Sequence, residues 1–229
     1  YLFPVNSSPI IHIEENYDFI ALTPMQLDNS IPYLNNIKNV LVGGSAVDEN
    51  LKQKILNVNS NVFETYGMTE TLTHIAVRNL SKQENEFTVL PGILISERDS
   101  CLFIEPGHLS VDFVQTNDIV RISQKNKFIL IGRKDYIINS GGVKINPESV
   151  EKKLQKYLNI DFVVSSIDDD KFGEIVVLVF KKNIPHNYQK AFVDLDKYEV
   201  PKLNLVLENF PENNGKINRV KIKQLINQR

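Results

Sequence analysis

Cysteine is nearly absent from this 229-residue sequence. Cys101 is its one thiol, which excludes an internal disulfide and a cysteine-rich zinc site and fits a reducing cytoplasm. A charge excess is also lacking. The net charge is −2, from 26 basic and 28 acidic side chains, so no whole-chain field draws the protein to nucleic acid or to an anionic membrane. Any anion site must be local. The longest purely apolar run, residues 175–180, is far too short to span a bilayer, and no basic region followed by an apolar segment opens the chain. No membrane insertion or export is expected. Internal repeats and low-complexity segments are likewise missing. What remains is a hydrophobic content of 42%, ample for a globular core in one large domain or two small ones.

Local patterns alternate between strand and helix in the first third. Residues 18–22 read as a buried strand, and Thr23-Pro24 as the cap and first position of a helix to about residue 34. A second strand over residues 39–42 ends at Gly43-Gly44-Ser45, a polar-faced helix follows over 48–58, and a third strand covers 61–66. Such alternation implies a parallel sheet with its ligand crevice at the carboxyl ends of the strands. That puts Gly43, Gly44 and Ser45 on one rim with Tyr66-Gly67-Met68-Thr69-Glu70. Taken alone, the glycine pair is an ordinary turn, and Thr69 an ordinary helix cap. His74, four residues after Glu70, is expected on the same helix face.

From residue 86 to 131 the pattern changes to short β-prone runs, separated by Pro91-Gly92, Pro106-Gly107 and Thr116-Asn117-Asp118. An antiparallel barrel or small sheet is expected there. After a strand at 128–131 come three charges, Arg133-Lys134-Asp135, then a strand at 136–138 and the pair Gly141-Gly142. A helix follows at 147–158, then strands at 162–165 and 174–181, a helix at 189–198, a strand at 203–207 and a closing helix at 219–227. Lys221 and Lys223 on that last helix read as a solvated face, and Asp168-Asp169-Asp170 lacks EF-hand spacing.

Several of these stretches together resemble the conserved blocks of the adenylate-forming enzymes, the superfamily of acyl-CoA synthetases, adenylation domains and firefly luciferase. Tyr66-Gly67-Met68-Thr69-Glu70 is similar to its Tyr-Gly-x-Thr-Glu block, and Gly132-Arg133-Lys134-Asp135 to its Gly-Arg-x-Asp block. Gly107-His-Leu-Ser-Val resembles Gly-Glu-Leu-x-Val. Thr116-Asn117-Asp118 stands for Thr-Gly-Asp, with Asn117 departing from the pattern in a turn that asparagine also tolerates. Asp168-Asp169-Asp170-Lys-Phe-Gly-Glu resembles a family turn. Pro211-Glu-Asn-Asn-Gly-Lys-Ile-Asn-Arg resembles the family's C-terminal lysine block, one residue short and without its threonine. The set occurs in family order. Within the superfamily the wording around Tyr66 and Gly141 is most similar to the o-succinylbenzoate-CoA ligases.

The resemblance implies an α/β fold: a partial parallel βαβ layer to about residue 80 plus a small β-barrel over 86–131, followed by a small α+β C-terminal domain. It implies domains at 1–134 and 135–229, the second a mobile lid hinged at Asp135. It also implies an AMP-forming acid-CoA ligase using ATP, Mg²⁺ and coenzyme A. Gly43, Gly44, Ser45, Tyr66, Gly67, Met68, Thr69, Asp118 and Arg133 would bind nucleotide, Glu70 would hold Mg²⁺, and Lys216 would be the catalytic lysine. Gly141, Gly142 and Lys144 would meet CoA, and His74 would line the acyl pocket. The partners would be a small carboxylic acid, ATP and CoA, without nucleic acid. The family's Ser/Thr/Gly-rich phosphate loop has no counterpart here, and the sequence opens at Tyr1 in mid-domain wording, so a piece of a longer ligase with little activity of its own is expected. A general acyl- or aryl-CoA synthetase, and a non-catalytic nucleotide-binding fragment or interaction module, are the other readings.

Overall fold

A computed structural model describes residues 7–8, 15–105, 107, 113–213 and 216–228. The chain divides into two compact units, one of Tyr1–Thr116 and Val120–Leu130, the other of Asn117–Ile119 and Ile131–Arg229.

The first unit opens with β1 (Tyr17–Leu22), α1 (Pro24–Ser30), β2 (Ile37–Val42), α2 (Glu49–Ile55) and β3 (Asn61–Gly67). Thr23 caps α1 in a capping box with Gln26, as its position before Pro24 predicts. The expected helix to residue 34 stops sooner: Pro32 has no amide proton to continue an α-helical ladder, and Ile31–Asn36 tightens to a 3-10 helix. Asp48 caps α2 by accepting from the Leu51 amide at 2.8 Å. β1, β2 and β3 pair in parallel, and Leu27, Leu51 and Ile55 from the helices pack with Val40, Val42 and Val62 from the sheet.

Beyond β3 the chain turns back into antiparallel pairing: β4 (His74–Asn79), β5 (Phe87–Val89), β6 (Leu94–Arg98), β7 (Cys101–Glu105), β8 (Val114–Gln124) and β9 (Lys127–Arg133). These do not close into a barrel. They extend the parallel layer as a single nine-stranded sheet, in the order β1-β2-β3-β4-β5-β9-β8-β7-β6 among the described residues. Thr116-Asn117-Asp118 is not a turn but lies inside β8, where inward positions 116, 118 and 120 are buried in strict alternation. The pairing that carries the strand through, such as the Val120 amide on the Ser100 carbonyl at 3.1 Å, is a long-range contact that local turn propensity does not register. Residues His108, Leu109, Ser110 and Val111 of the Gly107 motif lie outside the described residues, as do Asn214 and Gly215.

The second unit holds β10 (Ile138–Ser140), β11 (Val143–Ile145), α3 (Pro147–Gln155), β12 (Phe162–Asp169), β13 (Gly173–Lys181), β14 (Leu203–Leu207), β15 (Glu212–Asn213), β16 (Lys216–Ile217) and α4 (Arg219–Asn227). Both faces of its sheet are covered. Phe162, Val164, Val176, Leu178 and Phe180 pack with Val150 and Leu154 of α3, while Val163, Val177 and Val179 pack with Ile222 and Ile226 of α4. Double-sided burial is why residues 175–180 read as an unbroken apolar run rather than alternating. The expected helix at 189–198 is instead a 3-10 helix over Tyr188–Asp194, held by Ala191, Tyr188 and Phe192 against the α3-side core. The aspartate run forms the β12–β13 hairpin, in which Asp169 accepts the Lys171 and Phe172 amides, and no metal-holding group of His, Cys, Asp or Glu occurs among the described residues. Lys223 pairs with Glu174 rather than standing free in solvent.

Candidate functional site

The parallel register Val42↔Glu64 brings the carboxyl ends of β2 and β3 to one edge of the first unit. Gly43, Gly44 and Ser45 leave one strand there, and Gly67, Met68, Thr69 and Glu70 leave the other. Gly43 donates its amide to the Leu22 carbonyl at 3.1 Å, and a Cβ on it would sit 2.5 Å from the Thr65 hydroxyl, which itself donates to the Val42 carbonyl at 3.1 Å. A side chain there would have to displace that hydroxyl. Gly67 is crowded in the same way, since a Cβ would lie 2.5 Å from the Thr73 carbonyl. Gly44 has φ +92°, and Ser45 beside it is exposed.

Thr69 and Glu70 are exposed on a single 3-10 turn, Thr69–Thr71, not on a helix. The expectation that Glu70 and His74 share a helix face is therefore corrected. Leu72 takes φ +62° to reverse the chain, and His74 opens β4 opposite Gly67. The stretch from His74 to Val77 is β-prone and finds both β3 and β5 to pair with, which outweighs one turn of helix. Thr71, which the motif reading passed over, ties the turn: its hydroxyl accepts the Met68 amide at 3.1 Å and contacts the Met68 and Thr73 carbonyls at 3.0 and 2.8 Å. The Tyr66 ring is 8% exposed and meets Phe128 edge-on at 5.2 Å and Phe87 at 5.8 Å, with Met68 on the same cluster. It is a wall of the core more than an open platform. Glu70 offers one solvent-facing carboxylate without a protein cage, which suits an ion such as Mg²⁺ that keeps waters and arrives on substrate phosphates.

In the second unit Arg133 gathers three acids. Its guanidinium donates to Asp135 at 2.8 Å and lies 3.4 Å from Asp118, while its amide donates to Glu148 at 2.9 Å. Burial alone would lower the Arg133 pKa, but Asp135 and Asp118 hold it above its usual value. Burial pushes Glu148 up, against the pull of Arg219 and of the Arg133 amide. Glycine at 132 makes room for this, because a Cβ would strike Asn146 and Glu148. Asp135 sits on a 3-10 turn, Lys134–Tyr136.

Gly141 and Gly142, at φ +60° and +82°, turn the β10–β11 hairpin, and no atom lies within 4 Å of a Cβ built on Gly142. Lys144 follows on β11 and edges a concavity of about 580 Å³ that also takes in Ser149, Lys197 and Tyr198. Lys216 is exposed on a two-residue strand opposite Asn213. Arg219, of the same motif, is committed elsewhere: it forks onto Glu151 at 2.8 and 2.5 Å.

No family model matches the chain. Over 231 residues it is 25% identical to the 2-succinylbenzoate-CoA ligase of Lactococcus lactis, covering 90% of this chain and 51% of that protein. The chain is thus similar in sequence to proteins named as CoA ligases. An acyl-CoA synthetase (AMP-forming)/AMP-acid ligase II-like protein from Dyadobacter fermentans is 29% identical with a TM-score of 0.55, covering 96% of this chain and 69% of that one. The o-succinylbenzoate coenzyme A synthetase of Bacillus subtilis, solved with ATP and magnesium, shares the fold at a TM-score of 0.74 and 21% identity, over 90% of this chain and 51% of that one. The chain spans about half the length of the curated ligases it matches. No helix among its described residues is long and apolar enough to cross a membrane.

Proposed function

We propose that this chain carries the nucleotide rim and lid of an ATP-dependent ligase that converts a carboxylic acid to an acyl adenylate and then to a CoA thioester, with o-succinylbenzoate of menaquinone synthesis as the acid. The observation that carries the reading is the shared edge where Gly43-Gly44-Ser45 and Tyr66-Gly67-Met68-Thr69-Glu70 emerge from adjacent parallel strands. Names of relatives support the acid, since a ligase of Staphylococcus epidermidis named for 2-succinylbenzoate matches over 97% of the chain at 23% identity.

A carboxylate is a poor electrophile and needs a leaving group. On this reading Thr69 donates its hydroxyl to the α-phosphate, Asp118 accepts from the ribose hydroxyls with Arg133 beside it, and the glycine-bearing backbone at 43–45 lies against adenine. Glu70 would hold Mg²⁺, which when bound neutralises phosphate charge. Lys216 places a positive charge by the substrate carboxylate and α-phosphate, an electrostatic rather than nucleophilic role. Movement about Asp135 would then exchange Lys216 for Gly141 and Gly142, whose missing side chains admit a narrow pantetheine arm, with Lys144 toward a CoA phosphate.

Calorimetric titration with a non-hydrolysable analogue of o-succinylbenzoyl-AMP tests this, with AMP and an unrelated acyl-AMP analogue as controls. Preference for the first supports the assignment. Equal binding of both acyl adenylates transfers it to a general acyl-CoA synthetase, and absence of all binding rejects the nucleotide rim.

A further inference from the structure

The least expected group in the first unit is a carboxylate inside a sheet. Inward positions of β3 are Val62, Glu64 and Tyr66, and the Glu64 side chain is 5% exposed. A buried acid needs partners, and Glu64 has two of different kinds. One carboxylate oxygen, Oε2, accepts from Arg78 Nε at 2.8 Å and Nη2 at 2.6 Å. The other, Oε1, accepts the backbone amide of Val47 at 3.3 Å. Val47 is itself buried and lies two residues beyond Ser45, so the segment bearing Gly43-Gly44-Ser45 is fixed at both ends, by Gly43 on the Leu22 carbonyl and by Val47 on Glu64. From the other side the Arg78 guanidinium lies 4.5 Å over the Phe87 ring, and Phe87 meets Tyr66 at 5.8 Å.

We propose that Glu64 and Arg78 are positioning residues that hold the Gly43–Ser45 backbone in one fixed relation to β3 for binding an adenine nucleotide. The inference rests on the nucleotide reading of this rim. A buried ion pair adds little net stability, because desolvation offsets the attraction, but charge-assisted bonds from a planar fork impose direction. Arg78 is further held by its Nη1 bond to the Asn85 carbonyl at 3.3 Å. The pair thus sets the geometry of the Gly43–Ser45 wall of the rim while touching neither the solvent edge nor the expected ligand.

Titration calorimetry of AMP into this chain, with a thermal melt of each sample, provides the test. Glu64→Gln keeps the size and the acceptor for Val47 but removes the charge, and Arg78→Lys keeps the charge but removes the fork. Both should weaken AMP binding roughly ten-fold. Ile104→Val, which trims a fully buried side chain of β7, should lower the melting temperature and leave AMP affinity alone. A folded Glu64→Gln or Arg78→Lys that binds AMP as the parent does overturns the proposal. So does an equal loss in Ile104→Val, or failure of both pair variants to fold, since the pair would then be structural only. A parent chain that binds no AMP removes the nucleotide reading itself, an outcome distinct from all of these.

Discussion

Arg219 and Glu151, 68 residues apart, form a two-pronged ion pair with bonds of 2.8 and 2.5 Å. Burial would lower the Arg219 pKa, yet the hydrogen bonds and charge of Glu151 hold it above its usual value. Glu151 Oε1 also accepts the Val164 amide at 2.7 Å, so one carboxylate joins α3, β12 and α4. The arginine of the lysine motif is in this way an organiser of the second unit, while Lys216, three residues earlier, stays exposed.

Arg219→Ala is expected to destabilise the second unit by about 3–5 kcal/mol, because it leaves Glu151 charged and buried without its partner. Denaturant unfolding measures this, and a loss no larger than that of a surface substitution contradicts it. Arg219→Met together with Glu151→Leu should recover only part of the loss, since desolvation of both charges is removed but the buried Val164 amide loses its acceptor.

Lys216→Ala should leave the melting temperature unchanged, as the side chain is exposed on a two-residue strand. In a protein competent for both half-reactions it should abolish acyl-adenylate formation and spare CoA attack on supplied adenylate. Pyrophosphate release and thioester formation, followed separately, decide the matter; equal loss in both removes the assigned role.

The Gly43→Ala change pushes a methyl group against the Thr65 hydroxyl and should cost about 1–3 kcal/mol. Adding Thr65→Ala removes the obstructing oxygen. The double variant should therefore be less destabilised than the sum of the two single ones, a non-additivity that a double-mutant cycle reads directly. Strict additivity would mean that the clash is relieved by backbone movement instead.

Glu148 supplies a pH dependence of defined sign. Its raised folded pKa, caused first by burial, means that the folded chain keeps a proton the unfolded chain has lost. Stability from this group therefore falls as pH rises from the ordinary glutamate value through the raised folded one. Glu148→Gln retains an acceptor for the Arg133 amide and should flatten that decline, seen as a smaller fall in melting temperature across mildly acidic pH. An unchanged slope would assign the decline to other groups.

Much of the site was legible because it is built from local chemistry. The Gly43-Gly44 pair announces the end of a strand, Thr23-Pro24 and Asp48 announce helix starts, and Gly141-Gly142 announces a break in the chain, though not the strand Val143–Ile145 that completes a hairpin there. Glu64 was not legible as a brace. Its inward position follows from the alternation of β3, but Arg78 and the Val47 amide reach it only because β4 folds back on β3 and the loop after β2 crosses over it.

By itself the sequence determined the strand and helix alternation of the first third, the glycines at the rim, and the two-sided apolar strands of the second unit, since each depends on periodicity or on a residue's own φ preference. Tertiary structure decided the rest. It drew Asp118 out of an expected turn into the buried side of β8, replaced the helix after Glu70 by β4, and, among the described residues, extended the sheet to nine strands instead of closing a barrel. The physical reason is common to all three: a short β-prone segment adopts whichever state supplies partners for its backbone amides and carbonyls, and those partners lie far away in the chain.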